Sequence, residues 1–309
     1  MESSAQPILY ALTAGLYGGL ALRDWMGGKA GRRPVADAVA GAFTQTPSGD
    51  GSSCAANPKV QGGLRHILLF AALGCHGLLL HETVFGAQTM VFGFAYALST
   101  MIWLGAVTYW FESLVLPLAG LRLLLLPAAL AASLLPLAFA GSRVLANPAS
   151  TLFKLHFIIA NMAYGLLALA AFHALLMLLV EQRLHLMGCA QPRTGLMFRL
   201  GAWLDGMPPL LTLERLLFRL IGVGFALLTV TMISGLFFSE VLFGKALRFE
   251  HKTVFAVISW LMFGGILLGR ALSGWRGRAA LRWVLASFAL LLLAYVGTRF
   301  VLEVLLNKV

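Results

Sequence analysis

The stretch KLHFIIANMAYGLLALAAF, residues 154–172, decides the fold class. After Lys154 no Asp, Glu, Lys or Arg appears until Glu181, and His156 and His173 are the groups between them that titrate near neutral pH. A run of about 18 or more apolar residues with few charges reads as a membrane-spanning helix. Comparable runs recur along the chain, which is 309 residues long, 60% hydrophobic and 11% charged, with a mean hydropathy of +0.86. A soluble domain of this length does not need so much apolar surface. Backbone polar groups in lipid must be satisfied within the chain, and the runs are helix-length. The expected class is therefore an all-α, polytopic membrane bundle forming a single integral-membrane domain.

Eight helices are predicted, over 6–22, 66–82, 87–108, 121–141, 153–180, 216–243, 252–270 and 280–305. Pro127 and Pro136 fall inside the fourth, where neighbouring helices can tolerate a kink. The first apolar segment, PILYALTAGLYGGLAL, has no basic region before it and no small-residue cleavage site, so it reads as a retained helix. Lys and Arg set the orientation. With the N-terminus outside, 16 of the basic residues fall on inside segments and 7 on outside ones, so both termini are expected outside. Residues 23–65, containing TQTPSGDGSSCAANP, read as a flexible cytoplasmic loop. Residues 181–215 form a second long cytoplasmic segment, in which WLDGMPP ends a short surface helix and TLERLL opens the sixth spanning helix. Glycines in GLYGG and GGILLG read as points of close helix packing.

Several function classes are disfavoured. Cys54, Cys75 and Cys189 are far apart and form no CxxC or CxxCH, so no thiol-redox, zinc or covalent haem motif is present. There is no Walker loop, dinucleotide fingerprint, HExxH or GxSxG. The net charge of +11 belongs to the cytoplasmic loops and does not call for nucleic acid.

The topology sorts the seven histidines. His66 and His185 fall at the inner face and His173 in the inner half of the fifth helix. His76, His81, His156 and His251 fall on or near the outer side. His81 reads as interfacial. His76 and His173 are intramembrane, where ionisable side chains face the bundle interior, although His173 can serve simply to bond a neighbouring helix. Glu82, Glu112 and Glu240 read as solvated carboxylates at helix ends. His156 and His251 open two helices that run in the same direction, so they share a depth. Imidazoles from two helices can sandwich a haem iron. Lys154, Arg248 and Lys252 lie close by and can pair with propionates. The same two histidines are compatible with zinc or copper, for which further ligands are not evident, and with a purely structural role.

Four strings in order carry a resemblance: KLHFIIANMAYGLLALAAF (154–172), PPLLTLERLLFRLIGVGFALLTVTMISG (208–235), HKTVFAVISWLMFGGILLGR (251–270) and GWRGRAALR (274–282). Together they resemble the cytochrome c assembly proteins of the CcsA/CcmC/CcmF haem-handling superfamily, in particular the YpjD/HemX-like branch. The resemblance covers about residues 140–300, is looser from His66 to Trp110, and does not extend to 23–65. It implies haem held or moved at the outer face of the bacterial inner membrane, for attachment to apocytochrome c. It also implies that His156 is an outer haem ligand and that His76 matches a buried histidine of the family. The stretch RFEHKT, residues 248–253, aligns with the end of the family's tryptophan-rich loop. Phe249 stands there for a tryptophan, Glu250 for an aspartate and His251 for a proline. The histidines of the family's last helix and of the helix after that loop have no counterpart.

The expected function is thus an inner-membrane, multi-pass, non-enzymatic factor of cytochrome c maturation, binding haem b noncovalently. His156 and His251 are the expected ligands, with Phe249 and Trp260 against the haem and His76 on a deeper route. Expected partners are haem, the lipid bilayer, and apocytochrome c or another membrane protein. Two other classes remain open: a haem-free scaffold or regulator built on the same fold, and a small-solute transporter.

Overall fold

A computed structural model describes residues 5–30, 58–85, 90–139, 143–145, 151–187, 209–243, 251–297 and 301. Among them are eight α-helices: α1 (Ala5–Ala30), α2 (Pro58–Leu80), α3 (Phe94–Val115), α4 (Ala119–Ala138), α5 (Thr151–Met187), α6 (Leu210–Phe243), α7 (His251–Ser273) and α8 (Arg278–Leu292). Wide π-helical turns extend α2 over His81–Phe85 and α8 over Leu293–Gly297. Six helical stretches are long and apolar enough to cross a membrane: Gly63–Thr83, Phe94–Val115, Gly120–Ala138, Leu155–Gln182, Leu210–Phe237 and Lys252–Ser273. The protein is a polytopic helical membrane protein, as its hydropathy requires.

Cross-helix contacts fix the helix directions. Trp103 and Trp110 of α3 donate from their indole nitrogens to the Leu73 and His66 carbonyls of α2, so these helices run antiparallel. Asp24 of α1 lies against Arg65 of α2 and Arg122 of α4. The bundle therefore has one end marked by His156 and another marked by Asp24.

The centre is α5. Every residue from Gly165 to Ala171 is buried, so this helix is enclosed all round, against α6, α3 and α8. Its small residues permit close approach. A Cβ on Gly165 would lie 2.8 Å from the Met101 carbonyl oxygen and 3.0 Å from the Gly105 nitrogen, both on the α3 backbone. α7, by contrast, turns Val254, Ile258, Leu261 and Leu268 outward, as a lipid-facing helix would.

Several boundaries depart from the sequence reading. The third helix starts at Phe94, not near residue 87, because Met90–Phe92 instead form β1, paired antiparallel with β2 (Arg143–Leu145). It continues to Val115 because Tyr109, Glu112 and Ser113 find partners inside the bundle. The sixth helix begins at Leu210, where the Pro209 carbonyl accepts from the Thr212 and Leu213 amides at 2.8 and 3.2 Å. TLERLL therefore lies within its first turns and does not cap it. Helices α1 and α2 occupy both ends of the 23–65 segment read as a loop. Residues 31–57 and most of WLDGMPP lie outside the described residues. Both prolines do sit inside α4.

Candidate functional site

His156 lies in the second turn of α5, half-buried. Its Nδ1 is 2.7 Å from Ser234 Oγ on α6. Ser234 Oγ also lies 2.8 Å from the Val230 carbonyl and 3.1 Å from the Thr231 carbonyl, and when its hydroxyl donates to either, Oγ is left to accept from a His156 Nδ1–H. In that arrangement Nδ1 carries the proton and Nε2 is the basic nitrogen. Metal-ligating imidazoles are oriented in this way, one nitrogen donating to an outer partner while the other faces the metal. Gly235 lies beside the same ring, and a Cβ there would be 3.7 Å from His156 Cε1. The Ser-Gly of the TVTMISG string thus backs His156.

His251 is the first residue of α7. Its side chain lies outside the described residues, as does that of Lys154 in the first turn of α5. Arg248 and Phe249 are likewise outside them. Lys252 is exposed at the start of α7. α5 and α7 both pack on α6 and on α8. Trp260 is held by α6: its Nε1 donates to Thr229 Oγ1 at 2.8 Å, and its ring stacks on Phe225 with centroids 5.5 Å apart. His156 and Trp260 are therefore both positioned by α6.

His76 is fully buried, and both its ring nitrogens are engaged. Nδ1 is 3.3 Å from the Tyr17 hydroxyl and Nε2 is 2.9 Å from Ser99 Oγ. His76 would have to release a hydroxyl before it could ligate, whereas His156 is half-buried and tied to α6 through Ser234.

At the Asp24 end the sequence reading missed a second polar pair. Glu112, read as a solvated helix-end carboxylate, is 15% exposed, with Oε2 3.9 Å from Nε2 of the fully buried His173. His173 Nδ1 donates to its own helix, to the Leu169 carbonyl at 3.0 Å. Neither Glu112 Oε2 nor His173 Nε2 makes a hydrogen bond within the described residues. Nearby, Glu214 of TLERLL is clasped by Arg270 of α7 and by Arg276, whose Nε is 3.3 Å away. Arg278 pairs with Glu181 at 2.8 Å. Among the described residues no group of three or more His, Cys, Asp or Glu could hold a metal ion.

The family model described as Cytochrome C assembly protein matches residues 64–306. The chain belongs to that family. It is 35% identical over 153 residues to an uncharacterized 28.8 kDa protein of Azospirillum brasilense, a match covering 50% of this chain and 52% of that one. It is 35% identical over 99 residues to the inner membrane protein YpjD of Escherichia coli strain K12, covering 32% and 37% of the two chains. It is 33% identical over 86 residues to the cytochrome c biogenesis protein CcsA of a Synechocystis strain, covering 28% and 26%. The matches thus span about half or less of these relatives' length. No solved structure matches the chain.

Proposed function

We propose that this protein is a haem-handling factor of cytochrome c maturation in the bacterial inner membrane. In this reading it binds haem b noncovalently at the outer face, is not itself a catalyst, and has apocytochrome c or another membrane protein as partner. The carrying observation is the His156–Ser234 contact at 2.7 Å, which ties the imidazole to α6 on the side where the Lys and Arg distribution assigns the outer face. Membership of the cytochrome c assembly family and the names of the YpjD and CcsA relatives support it. A bound haem would supply an iron centre with propionates. The chain would supply His156 as ligand and Ser234 to hold the ring. His251 would be the second ligand, Phe249 and Trp260 would contact the ring, and Arg248, Lys252 and Lys154 would pair with propionates.

Haemin titration of the purified protein, followed by the Soret band, tests this. Wild type is expected to take up haem and His156→Ala to lose it. Ser234→Ala should weaken binding by about 10–100-fold, the usual loss for an outer partner of a metal-ligating histidine. Ser234→Thr, which keeps the hydroxyl, should not. His251→Ala should convert a six-coordinate spectrum to a five-coordinate one. No Soret band in wild type, or unchanged binding in His156→Ala, would refute the assignment.

A haem-free scaffold is the second reading. His76 and Trp260 favour it, since both are already committed to internal hydrogen bonds. Under that reading His156→Ala alters a partner's assembly in cells while purified wild type binds no haem.

A further inference from the structure

At the Asp24 end, three helices bring charge into a nearly dry site. The Asp24 side chain on α1 is 5% exposed, and Nε of Arg65 (α2) and of Arg122 (α4) lie 4.0 and 3.3 Å from its two oxygens. Among the described residues of this cluster, two guanidinium groups on one carboxylate leave one positive charge in surplus. Asp24 Oδ2, Arg65 Nε and Arg122 Nε make no hydrogen bond within the described residues. The space enclosed among them, His66, Tyr109 and Ser113 is about 10 Å³, room for a single water at most. His66 is turned to Ser113 Oγ at 3.4 Å and brings no negative charge. A guanidinium held largely out of water is costly unless an anion with good geometry meets it.

Beside this cluster a cleft of about 270 Å³ opens between α1 and α4. Its walls are Ala21, Leu22, Trp25, Leu123 and Pro127, and Asp24 and Arg122 supply its charged groups. Leu22 and Pro127 are exposed, so the cleft opens onto the bundle's outer surface, which lipid would cover. Arg122 lies in the first turn of α4, the level at which basic side chains meet lipid headgroups. An apolar channel ending at a surplus guanidinium matches a ligand with a hydrocarbon chain and one negative charge.

We propose that this cleft binds an anionic phospholipid of the membrane in which the protein sits. The phosphodiester meets Arg122, whose planar donors suit phosphate oxygens, while Arg65 behind it keeps the cluster's net charge positive, and one acyl chain runs along Ala21, Trp25, Leu123 and Pro127. The charge count selects a singly negative headgroup over a zwitterionic one, because the latter leaves the surplus uncompensated. The other basic residues gathered at this end draw anionic lipid to the same leaflet.

The test uses the full-length protein in neutral detergent, with phosphatidylglycerol, phosphatidylethanolamine or phosphatidylcholine added. Native mass spectrometry reads retained lipid and thermal unfolding reads stabilisation. Phosphatidylglycerol is expected to remain bound and raise Tm, and the two zwitterionic lipids are not. Arg122→Gln should lower phosphatidylglycerol retention by roughly tenfold, equivalent to ~1.4 kcal/mol. Asp24→Asn should raise retention, since both guanidinium groups are then unopposed. Ala21→Phe, which fills the cleft and leaves every charge in place, should lower it. The proposal is overturned if a zwitterionic lipid is retained as well as phosphatidylglycerol. It is also overturned if Asp24→Asn lowers retention as Arg122→Gln does, or if Ala21→Phe leaves retention unchanged.

Discussion

The contact between Gly105 and Gly165 sets how closely α3 and α5 approach, and it can be tested by a single methyl group. In Gly165→Ala the new Cβ would stand 2.8 Å from the Met101 carbonyl oxygen and 3.0 Å from both the Gly105 nitrogen and Leu104 Cβ. Two of these three atoms are helix backbone and cannot swing aside, so the helices must separate. Overpacking of this kind costs about 1–3 kcal/mol. In a membrane no hydrophobic force restores the lost contact, because lipid is as apolar as the helix surface. Gly265→Ala on α7 is the matched control: Gly265 is exposed and its Cβ would meet nothing within 4 Å. Replacing a mid-helix glycine by alanine gains ~0.8–1.0 kcal/mol of helix propensity, and that gain is common to both variants. Their difference therefore isolates the steric cost. Unfolding in mixed micelles with rising denaturing detergent should place Gly165→Ala about 1–3 kcal/mol below Gly265→Ala. Equal stability of the two variants would refute the close approach of α3 and α5.

Four further substitutions probe the polar pairs at the Asp24 end. Glu214→Ala removes the carboxylate clasped by Arg270 and Arg276, whose side chains are 14%, 23% and 60% exposed respectively. It should cost about 2–3 kcal/mol in the same unfolding assay, somewhat below the loss for a fully buried pair, whereas Arg276→Ala should cost at most ~1 kcal/mol because its side chain is largely solvated. Glu112→Gln gives the buried His173 Nε2 an amide donor in place of an unbonded carboxylate oxygen, so stability should hold or rise by about 0.5–1.5 kcal/mol. Glu112→Ala leaves that nitrogen alone and should lower stability by about 1–3 kcal/mol. Thermal unfolding followed by size-exclusion chromatography reads both, and a Gln variant as unstable as the Ala variant would count against the pairing.

Much of the bundle was legible in its residues. Uncharged runs such as Leu155–Val180 are unambiguous, because a charge buried in lipid is expensive and helices alone satisfy a lone backbone there. Helix ends were harder. Met90–Phe92 are as apolar as a helix start, and only pairing with Arg143–Leu145, more than 50 residues away, makes them a strand. Of the glycines in GLYGG and GGILLG read as close-packing, Gly264 does lie against Phe225 of α6, but among the described glycines the tightest backbone approach is between Gly105 and Gly165. Each of these stands alone in its own helix, and their partnership crosses 60 residues of chain. Glu112 sits near a helix end, where carboxylates are ordinarily solvated. It is drawn inside because α5 carries His173 to the same level.

The candidate site divides along the same line. His156 was visible as a histidine near a helix start and in a familiar string. Ser234 gave no signal as its partner, since a Ser-Gly in an apolar run reads as packing. The sequence by itself determined the lipid-facing chemistry: which segments can lie in a membrane, which residues are too polar to do so without a partner, and the family to which the chain belongs. Tertiary structure alone decided the partners. It turned His76 to Tyr17 and Ser99, His156 to Ser234, and Asp24 to two arginines. The physical reason is that hydropathy is a property of each residue, whereas hydrogen bonds and ion pairs act over a few ångströms between helices remote in sequence.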